Sequence, residues 1–456
     1  VASYTFFKYG NLFMIIERKE FLEQLINAKA HHLVKIITGI RRCGKSFLLF
    51  KLFKKHLIDS GIPQDHIIEI NLENPISKNL RNAILLDKYI RERIIKDNTQ
   101  TFILIDEIQL VGKVLPPDID ISRVHPEDKE NMYVTFHDVL NGLLNENNVN
   151  IYITGSNAKM LSSDIATGFR GRSENIEVTP LSFSEFYPTI ENQYEFPEII
   201  RNYFIYGGLP ECANLKTIDE KEKYLLNLVQ TIYLKDILDR HHLHNDGLLD
   251  ALTNTAMSMI GSLTNPNKLA NAIISSGVYK ANSTTVSKYL NYLEDSFLLL
   301  HAKRYDVKGK RYLSNTCKYY ASDTGIRNAR LNFRQNELSH LMENVIYNEL
   351  RRRGYSVDVG IVEKVSTINN KKARTYYEID FIATRANEKI YIQSAFNIPD
   401  NEKREQETSS LRQINDGFRK IVITGDAYEK TWRDENGIIF MGIKAFLLNT
   451  KSLDVL

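Results

Sequence analysis

Residues 33–57 read LVKIITGIRRCGKSFLLFKLFKKHL, and this stretch decides the fold of the first part of the chain. LVKIIT is an apolar run that favours a β-strand, GIRRCGKS is a glycine loop, and the remaining letters follow a helical pattern. The loop has the spacing Gly-x4-Gly-Lys-Ser, which is the phosphate-binding P-loop pattern when it lies between a strand and a helix. The stretch therefore predicts an α/β nucleotide-binding core.

Each part of the loop has a predicted task. Gly39 and Gly44 permit a close backbone approach, so that consecutive N–H groups can surround phosphate groups at the start of the following helix. Lys45 is predicted to reach the β- and γ-phosphates of ATP, and Ser46 to offer its hydroxyl to Mg²⁺. Cys43 is interpreted as a small loop filler rather than a redox switch. The predicted ATP-binding residues of the loop are Gly39, Ile40, Arg41, Arg42, Cys43, Gly44, Lys45, Ser46 and Phe47.

A second apolar run, TFILIDEIQLV at 101–111, ends in two adjacent carboxylates. Asp106 is predicted to hold the Mg²⁺ shell together with Ser46, and so it joins the cofactor-binding residues. Glu107 is predicted to polarise the attacking water as a general base. Taken alone, such a pair could equally be a solvated helix cap; the upstream loop favours the catalytic interpretation.

A third apolar strand, NIYITGSN at 150–157, resembles the sensor-1 strand of AAA+ ATPases. That resemblance implies a polar contact to the γ-phosphate or the catalytic water, from Asn157 or Ser156, with Asn157 preferred. Both residues could instead cap the following helix. Further along, Arg170 and Arg172 are candidates for an arginine that stabilises transition-state charge in a neighbouring subunit, although two surface arginines beside local carboxylates remain the alternative.

The composition of the 456-residue chain is that of an ordinary globular protein, with 43% hydrophobic and 25% charged residues. A formal net charge of +3 is too small for a chain-wide nucleic-acid coat, so any basic patch must be local. Three distant cysteines fit neither a disulfide framework nor a paired zinc site, and no apolar run reaches about 18 residues. The first residues lack the pattern of a signal peptide. These features predict a multidomain cytoplasmic protein.

Several segments together resemble a bacterial and archaeal family of AAA-type P-loop ATPases that carry a DUF4143 domain. They are ITGIRRCGKS, LIDEIQ, TGSNAKML, FRGRSENIEVTPLSFSEF, YGGLPE at 206–211 and LKDILDR at 234–240. The resemblance implies an α/β fold class with a RecA-like αβα P-loop ATPase core, a small helical lid, a winged-helix domain and a PD-(D/E)XK restriction-nuclease-like α/β domain. The predicted boundaries are 1–13 for an N-terminal extension without assigned function, 14–182 for the core, 183–246 for the lid, 247–320 for the winged helix and 321–456 for the nuclease-like domain.

Residues 248–313 predict a helix-turn-helix and a basic hairpin on their own pattern. Helices are predicted at 267–275 and 283–295, the second capped by Ser283 or Thr284. Thr284, Thr285, Ser287, Lys288 and Asn291 are expected to face a groove. The predicted contacts to duplex DNA are Lys288 and the hairpin residues Lys303, Arg304, Lys308, Lys310 and Arg311. The same unit could instead bind a protein partner or simply be solvated.

The last part of the chain matches a restriction-nuclease core in order and spacing. Glu343 on a helix and Asp380 at the end of a strand match the first two metal-site positions, while the third reads Gln393-Ser394-Ala395 instead of Glu-x-Lys. A neutral Gln is a weaker metal ligand than a carboxylate, and Ala has no proton to transfer. These differences predict a degenerate nuclease site. If some cleavage activity remains, Glu378 is the candidate substitute ligand for the metal ion.

The leading prediction is an oligomeric, Mg²⁺-dependent ATPase that acts on DNA. There are two alternatives: a regulatory ATPase that binds protein partners, and an ATP-dependent nuclease. The oligomer size and the identity of the client do not follow from the sequence.

Overall fold

The computed structural model describes residues 5–8, 11–156, 168–169, 171–230, 234–243, 247–277, 279–368, 371–426 and 430–454. The chain divides into two compact units, Val1–Val178 and Thr179–Leu456. The first unit holds the P-loop segment. The second holds the helices and strands that follow it along the chain.

Two sheets are formed by the described strands of the first unit. These strands are β1 Thr5–Lys8, β2 Asn11–Met14, β3 Val34–Thr38, β4 Ile67–Asn71, β5 Thr101–Asp106, β6 Val149–Thr154 and β7 Ser173–Glu177. β1 and β2 form an antiparallel pair that reaches one residue beyond the predicted extension, to Met14, and the other five form a parallel sheet in the order β4-β5-β6-β3-β7. β3, β5 and β6 are buried along their whole length, as in strands covered on both faces. Because β3, β5 and β6 are parallel and β6 pairs with both of the others, the loops that follow these strands lie side by side at one edge of the sheet.

Helices cover the parallel sheet. Among the described residues of the first unit, the α-helices are Lys19–Ala28, Lys45–Phe47, Lys54–Asp59, Ala83–Arg91 and Phe136–Leu143, with 3₁₀ turns at Gln64–His66, Pro75–Arg81, Ile108–Leu110, Ile121–Arg123 and Lys129–Met132. The helix predicted after the P-loop is present, but its middle, Leu48–Phe53, is a π-helix. Phe53 packs on Tyr152 of β6, with ring centroids 4.6 Å apart, and so ties this helix to the central strand.

The second unit is built on one large mixed sheet. Its strands are β8 Leu263–Thr264, β9 Leu299–Asp306, β10 Arg311–Ala321, β11 Ser356–Ile368, β12 Lys371–Arg385, β13 Glu388–Ala395, β14 Arg419–Thr424, β15 Trp432–Arg433 and β16 Ile439–Gly442. They lie in the order β15-β16-β14-β13-β12-β11-β9-β10-β8. The helices are Phe183–Ile190, Phe196–Tyr206, Pro210–Ala213, Ile218–Leu228, Leu234–Arg240, Gly247–Ser258, Pro266–Ser275, Ser283–Asp295, Thr324–Arg330, Leu338–Arg352, Asn401–Arg412 and Ile443–Leu448. Across the described residues of both units, no helix is long and apolar enough to cross a membrane.

The predicted helix pair is found at Pro266–Ser275 and Ser283–Asp295. The cap prediction was wrong, because Asn282 rather than Ser283 or Thr284 caps the second helix: the Asn282 side chain accepts the N–H of Thr285 at 2.8 Å. An amide oxygen one position earlier reaches this N–H, while Ser283 already belongs to the helix.

The basic hairpin is part of the large sheet. β9 pairs with β10 in antiparallel fashion and with β11 in parallel fashion, for example Arg304 with Val359. β10 in turn pairs with β8. The hairpin is therefore held on both sides by neighbouring strands of one continuous sheet.

The YGGLPE segment wraps a buried carboxylate. Asp323 accepts the N–H of Gly208 at 2.7 Å and that of Ile326 at 3.0 Å. A Cβ on Gly207, whose φ is +71°, would lie 2.2 Å from an Asp323 oxygen. Gly207 is thus needed because the backbone passes directly over this carboxylate, whereas a Cβ on Gly208 would lie 2.3 Å from the carbonyl oxygen of Leu181.

Candidate active site

The P-loop follows β3 with the backbone that its glycines predict. Gly39 has φ +143°, and a Cβ there would lie 2.0 Å from the carbonyl oxygen of Val178. Gly44 has φ +100°, in the left-handed region that favours glycine. Cys43 is fully buried and its thiol donates to the same Val178 oxygen at 3.2 Å, which fits the predicted loop filler. Arg18, which the sequence did not single out, donates from Nη1 to the Cys43 carbonyl at 3.0 Å.

Lys45 and Ser46, the two polar residues at the end of the loop, make different contacts. The Lys45 ammonium is buried and donates to the carbonyls of Gly39 and Ile40 at 2.9 and 3.1 Å, so it lies over the loop itself. The Ser46 hydroxyl donates to Asp106 Oδ1 at 2.9 Å. This contact joins the P-loop to the end of β5.

Ile40 is buried, whereas Arg41, Arg42 and Phe47 are partly or fully exposed. Arg41 forms an ion pair with Glu73 at 3.6 Å. Arg42 has φ +65°. The Phe47 side chain is 42% exposed, although it lies directly after the loop.

Asp106 is the centre of a hydrogen-bond network. Its Oδ1 accepts the Thr154 hydroxyl at 2.5 Å as well as the Ser46 hydroxyl. Burial raises the pKa of Asp106, and the bonds from Thr154 and Ser46 act against that rise. Those two hydroxyls therefore help to keep a buried carboxylate charged.

Glu107 is held in an uncommon backbone conformation. Its φ of 58° lies in the left-handed region, which costs a non-glycine residue free energy and is concentrated at functional sites. Its N–H donates to Thr154 Oγ1 at 3.0 Å. Its carboxylate accepts the Ser156 hydroxyl at 3.3 Å and the Gln109 side-chain amide. Thr154 and Gln109 were not assigned a role from the sequence, whereas Ser156 was one of the two sensor candidates.

Two predicted catalytic residues, Asn157 and Arg170, lie outside the described residues. Arg172 is described and exposed, and its carbonyl accepts the N–H of Val34 at 2.9 Å. Val34 begins β3, whereas the P-loop follows the end of β3. Arg172 thus lies at the opposite edge of the sheet from the P-loop, roughly 15 Å away along a five-residue strand.

A polar groove of about 760 Å³ lies in the second unit at the predicted helix pair. Its lining is Asn265, Pro266, Asn267, Ser283, Thr284, Ser287, Lys288 and Asn291. Thr284, Lys288 and Asn291 are exposed and share one face of the helix, at spacings of four and three residues. Four residues of the predicted groove-facing set are therefore found together.

The basic hairpin residues are arranged differently. Lys303, Lys308, Lys310 and Arg311 are exposed, whereas Arg304 is half-buried. Lys308 donates to the Glu363 carbonyl of β11 at 2.7 Å. Arg311 lies 3.9 Å from Asp306. Part of the predicted positive charge is thus engaged within the sheet.

The predicted nuclease residues converge on a lysine that the sequence did not reveal. Lys318 of β10 places Nζ 2.9 Å from Glu343, 2.8 Å from Glu378 and 3.4 Å from Asp380. Gln393 does not join this cluster, and its side-chain oxygen accepts the Ser410 hydroxyl at 3.4 Å. Within the described ranges, no group of three or more His, Cys, Asp or Glu side chains is arranged to hold a metal ion.

The nucleotide site fits Mg²⁺ better than the Lys318 cluster does. A serine hydroxyl and a carboxylate in contact are the hard oxygen ligands that Mg²⁺ prefers when phosphate oxygens and water complete its shell. The P-loop, the parallel sheet and the paired carboxylates define an AAA-type P-loop ATPase domain. The family model described as "AAA domain" matches residues 31–187.

Relatives match almost the whole chain. An "Uncharacterized protein" of Haemophilus influenzae is 34% identical over 432 residues, which cover 94% of this chain and 98% of the relative. The chain belongs to the family of that protein. An uncharacterized protein of Methanocaldococcus jannaschii is 28% identical and covers 88% of this chain and 85% of its own. A solved Walker-type ATPase of Pyrococcus abyssi is 14% identical, covers 70% of this chain and 96% of its own, and has a TM-score of 0.47.

The second part of the chain matches a different family model from the one expected. Residues 197–337 match a domain of unknown function, DUF8612. The expected DUF4143 resemblance is therefore not confirmed.

Proposed function

We propose that the protein binds Mg·ATP, hydrolyses it in an oligomer, and acts on duplex DNA. The observation that carries the ATPase proposal is the network in which Ser46 and Thr154 donate to Asp106 while Thr154 also accepts the N–H of Glu107. This network joins a phosphate-binding loop to two acidic residues with different surroundings. One is suited to hold a cation and the other to accept a proton.

The residues divide the chemistry among them. The loop N–H groups and the Lys45 ammonium bind the phosphates, the latter by exchanging its carbonyl partners for phosphate oxygens. Ser46 and Asp106 would hold Mg²⁺, which would supply charge neutralisation at the phosphates. Glu107, aimed by its left-handed backbone and by Ser156, orients the attacking water and accepts its proton.

An arginine from a second copy completes the site. Arg172 is exposed and lies a strand length from its own P-loop, so it reaches a γ-phosphate only on a neighbouring subunit. Arg170 remains the other candidate for this role. Hydrolysis that depends on such a residue depends on assembly.

The ATPase proposal is tested by the rate of phosphate release against protein concentration. A specific rate that rises with concentration, and that Glu107→Gln abolishes without loss of ATP binding, is the expected result. A Glu107→Gln protein that hydrolyses ATP at the wild-type rate would refute the assignment.

The DNA proposal rests on the groove and the elements around it. The order of helix Gly247–Ser258, β8, the helix pair and the β9–β10 hairpin is that of a winged-helix unit. On the exposed face of the helix Ser283–Asp295, Thr284 and Asn291 offer hydrogen bonds to base edges, and Lys288 offers one phosphate contact. The exposed lysines of the hairpin add further phosphate contacts.

Binding of the full-length protein to labelled duplex DNA at a series of salt concentrations tests this part. Lys288→Ala should lower affinity and reduce the slope of log K against log salt by about 1, because one phosphate contact is lost. Lys223→Ala removes a lysine whose side chain is 75% exposed elsewhere in the same unit, and should leave the slope unchanged. Absent or salt-insensitive binding would rule out DNA as the client and favour a protein partner.

A further inference from the structure

The Lys318 cluster has the composition of a cation-binding site, but the cation at its centre is the side-chain ammonium of Lys318 itself. Three carboxylates on two elements, the helix Leu338–Arg352 and β12, face one ammonium group from β10. The Lys318 side chain is only 2% exposed. An ammonium has three N–H donors, one for each of the three acidic side chains.

We infer that the Lys318 ammonium takes the place of a divalent cation in the nuclease-like domain. The domain then binds no metal at this position and does not cleave DNA, and the cluster instead fastens the basic hairpin to the rest of the sheet. The inference is independent of ATP hydrolysis and of DNA binding.

The carboxylate oxygens around the ammonium have other partners as well. Glu343 Oε1 also accepts the Tyr320 hydroxyl at 2.8 Å, and Asp380 Oδ2 accepts the N–H of Ser394 at 2.9 Å. The backbone at Gly261 closes the space behind Glu343, because a Cβ there would lie 3.2 Å from both of its oxygens. Mg²⁺ requires near-octahedral oxygen ligands at about 2.0–2.1 Å and gives up its water reluctantly, so carboxylates that already accept an ammonium, a hydroxyl and an N–H suit it poorly.

The charges of the cluster favour a retained ammonium. Burial alone would lower the pKa of Lys318, but the Asp380, Glu343 and Glu378 carboxylates together raise it above its ordinary value. Burial raises the pKa of Glu343 to about 7, and the Lys318 charge opposes that rise. The positive charge of Lys318 is thus balanced by three carboxylates within 3.4 Å of its Nζ.

The two remaining features of a nuclease site are also missing from the cluster. Gln393, at the third metal-ligand position, is turned to Ser410 of the helix Asn401–Arg412. Ala395, in the place of the usual lysine, is buried and has no functional group. The positive charge is thus supplied from a different strand, and at the centre of the carboxylates rather than beside them.

The experiment measures Mn²⁺ binding to the nucleotide-free, full-length protein by electron paramagnetic resonance and by the shift in Tm. Wild type should bind no Mn²⁺ at this site, so Asp380→Asn should leave the amount of bound Mn²⁺ unchanged. For the same reason, this site should cause no Tm shift in wild type when Mn²⁺ is added. Lys318→Ala should unfold at a lower temperature than wild type and gain one bound Mn²⁺. Its Tm should rise by at least about 5 °C at a Mn²⁺ concentration near 100 times the Kd.

Matched variants separate the possible outcomes. Lys303→Ala removes an exposed lysine from the adjacent strand β9 and should bind no Mn²⁺. Lys318→Met keeps most of the side-chain volume and is the second test should the alanine variant fail to fold. A Mn²⁺ ion bound to wild type and lost in Asp380→Asn, or metal-dependent nicking of a supercoiled plasmid by wild type, would overturn the inference. So would a folded Lys318→Met protein that gains no Mn²⁺.

Discussion

Replacing Thr154 with valine tests the network that joins the two acidic residues of the ATP site. Valine has nearly the same shape, so the core around β6 should stay packed, while two hydrogen bonds disappear. Asp106 loses a 2.5 Å bond to its charged oxygen, and the N–H of Glu107 loses its acceptor at 3.0 Å. A bond to a charged group contributes roughly 1.5–3 kcal/mol, so kcat should fall about 10- to 150-fold if the loss appears in the transition state.

The pH dependence gives this variant a second readout. The Thr154 bond lowers the pKa of Asp106, and its removal therefore raises the pH at which Asp106 takes up a proton. Because the charged carboxylate is the form that holds Mg²⁺, activity on acidification should be lost at a higher pH in Thr154→Val than in wild type.

The assay is steady-state phosphate release between about pH 5 and 8, with ATP binding measured separately by fluorescence titration. Thr154→Ser keeps the hydroxyl and should retain most of the activity and the wild-type acid limb. If Thr154→Val and Thr154→Ser have the same kcat and the same acid limb, the hydroxyl does not position the two carboxylates, and the reasoning fails.

Three further predictions follow from other parts of the structure. Glu107→Gln should lower the ATPase rate by about 10²–10⁴-fold and leave ATP binding intact, and loss of binding in a titration would contradict its role as a base. Arg172→Ala should lower the ATPase rate about 10³-fold and regain activity when it is mixed with Lys45→Ala subunits. The control Arg123→Ala, which removes an 86% exposed side chain, should behave as wild type. Mixing without rescue would argue against an arginine that acts between subunits. Burial raises the pKa of Asp323 to about 6. The native state therefore binds more protons than the unfolded state between about pH 4 and 6. The stability that this group contributes is lost as the pH rises through that window. The unfolding free energy of wild type relative to Asp323→Asn, measured in urea, should therefore fall by about 2.5 kcal/mol from pH 4 to pH 7. A constant difference would show that the pKa of the carboxyl is not perturbed.

The features that the sequence predicted well are local ones. The P-loop lies between its strand and its helix because the glycine spacing and the apolar periods are adjacent along the chain. The helix Ser283–Asp295 begins and ends where its pattern predicts, and β12 and β13 are joined by a tight turn at residues 386–387. Each of these depends on a few neighbouring residues.

The features that the sequence missed depend on strand order and pairing. Thr154 donates to the Asp106 carboxylate and accepts the N–H of Glu107 because β6 lies beside β5, and an isolated threonine at the end of an apolar run does not reveal that order. Lys318 gave no signal in TCKYYAS, since its carboxylates follow 25 to 62 residues later along the chain. Strand pairing between distant parts of the chain places Thr154 beside Asp106 and Glu107, and Lys318 beside its three carboxylates.

The continuous sheet of the second unit has a consequence for how this protein can be cut or recombined. A break between β10 and β11 would strip β9 of its parallel neighbour and expose unpaired N–H and C=O groups, an edge prone to aggregation. The same break would separate Lys318 from all three of its carboxylates. The hairpin and the strands after it therefore form one structural module, and we expect a fusion protein that exchanges one without the other to aggregate.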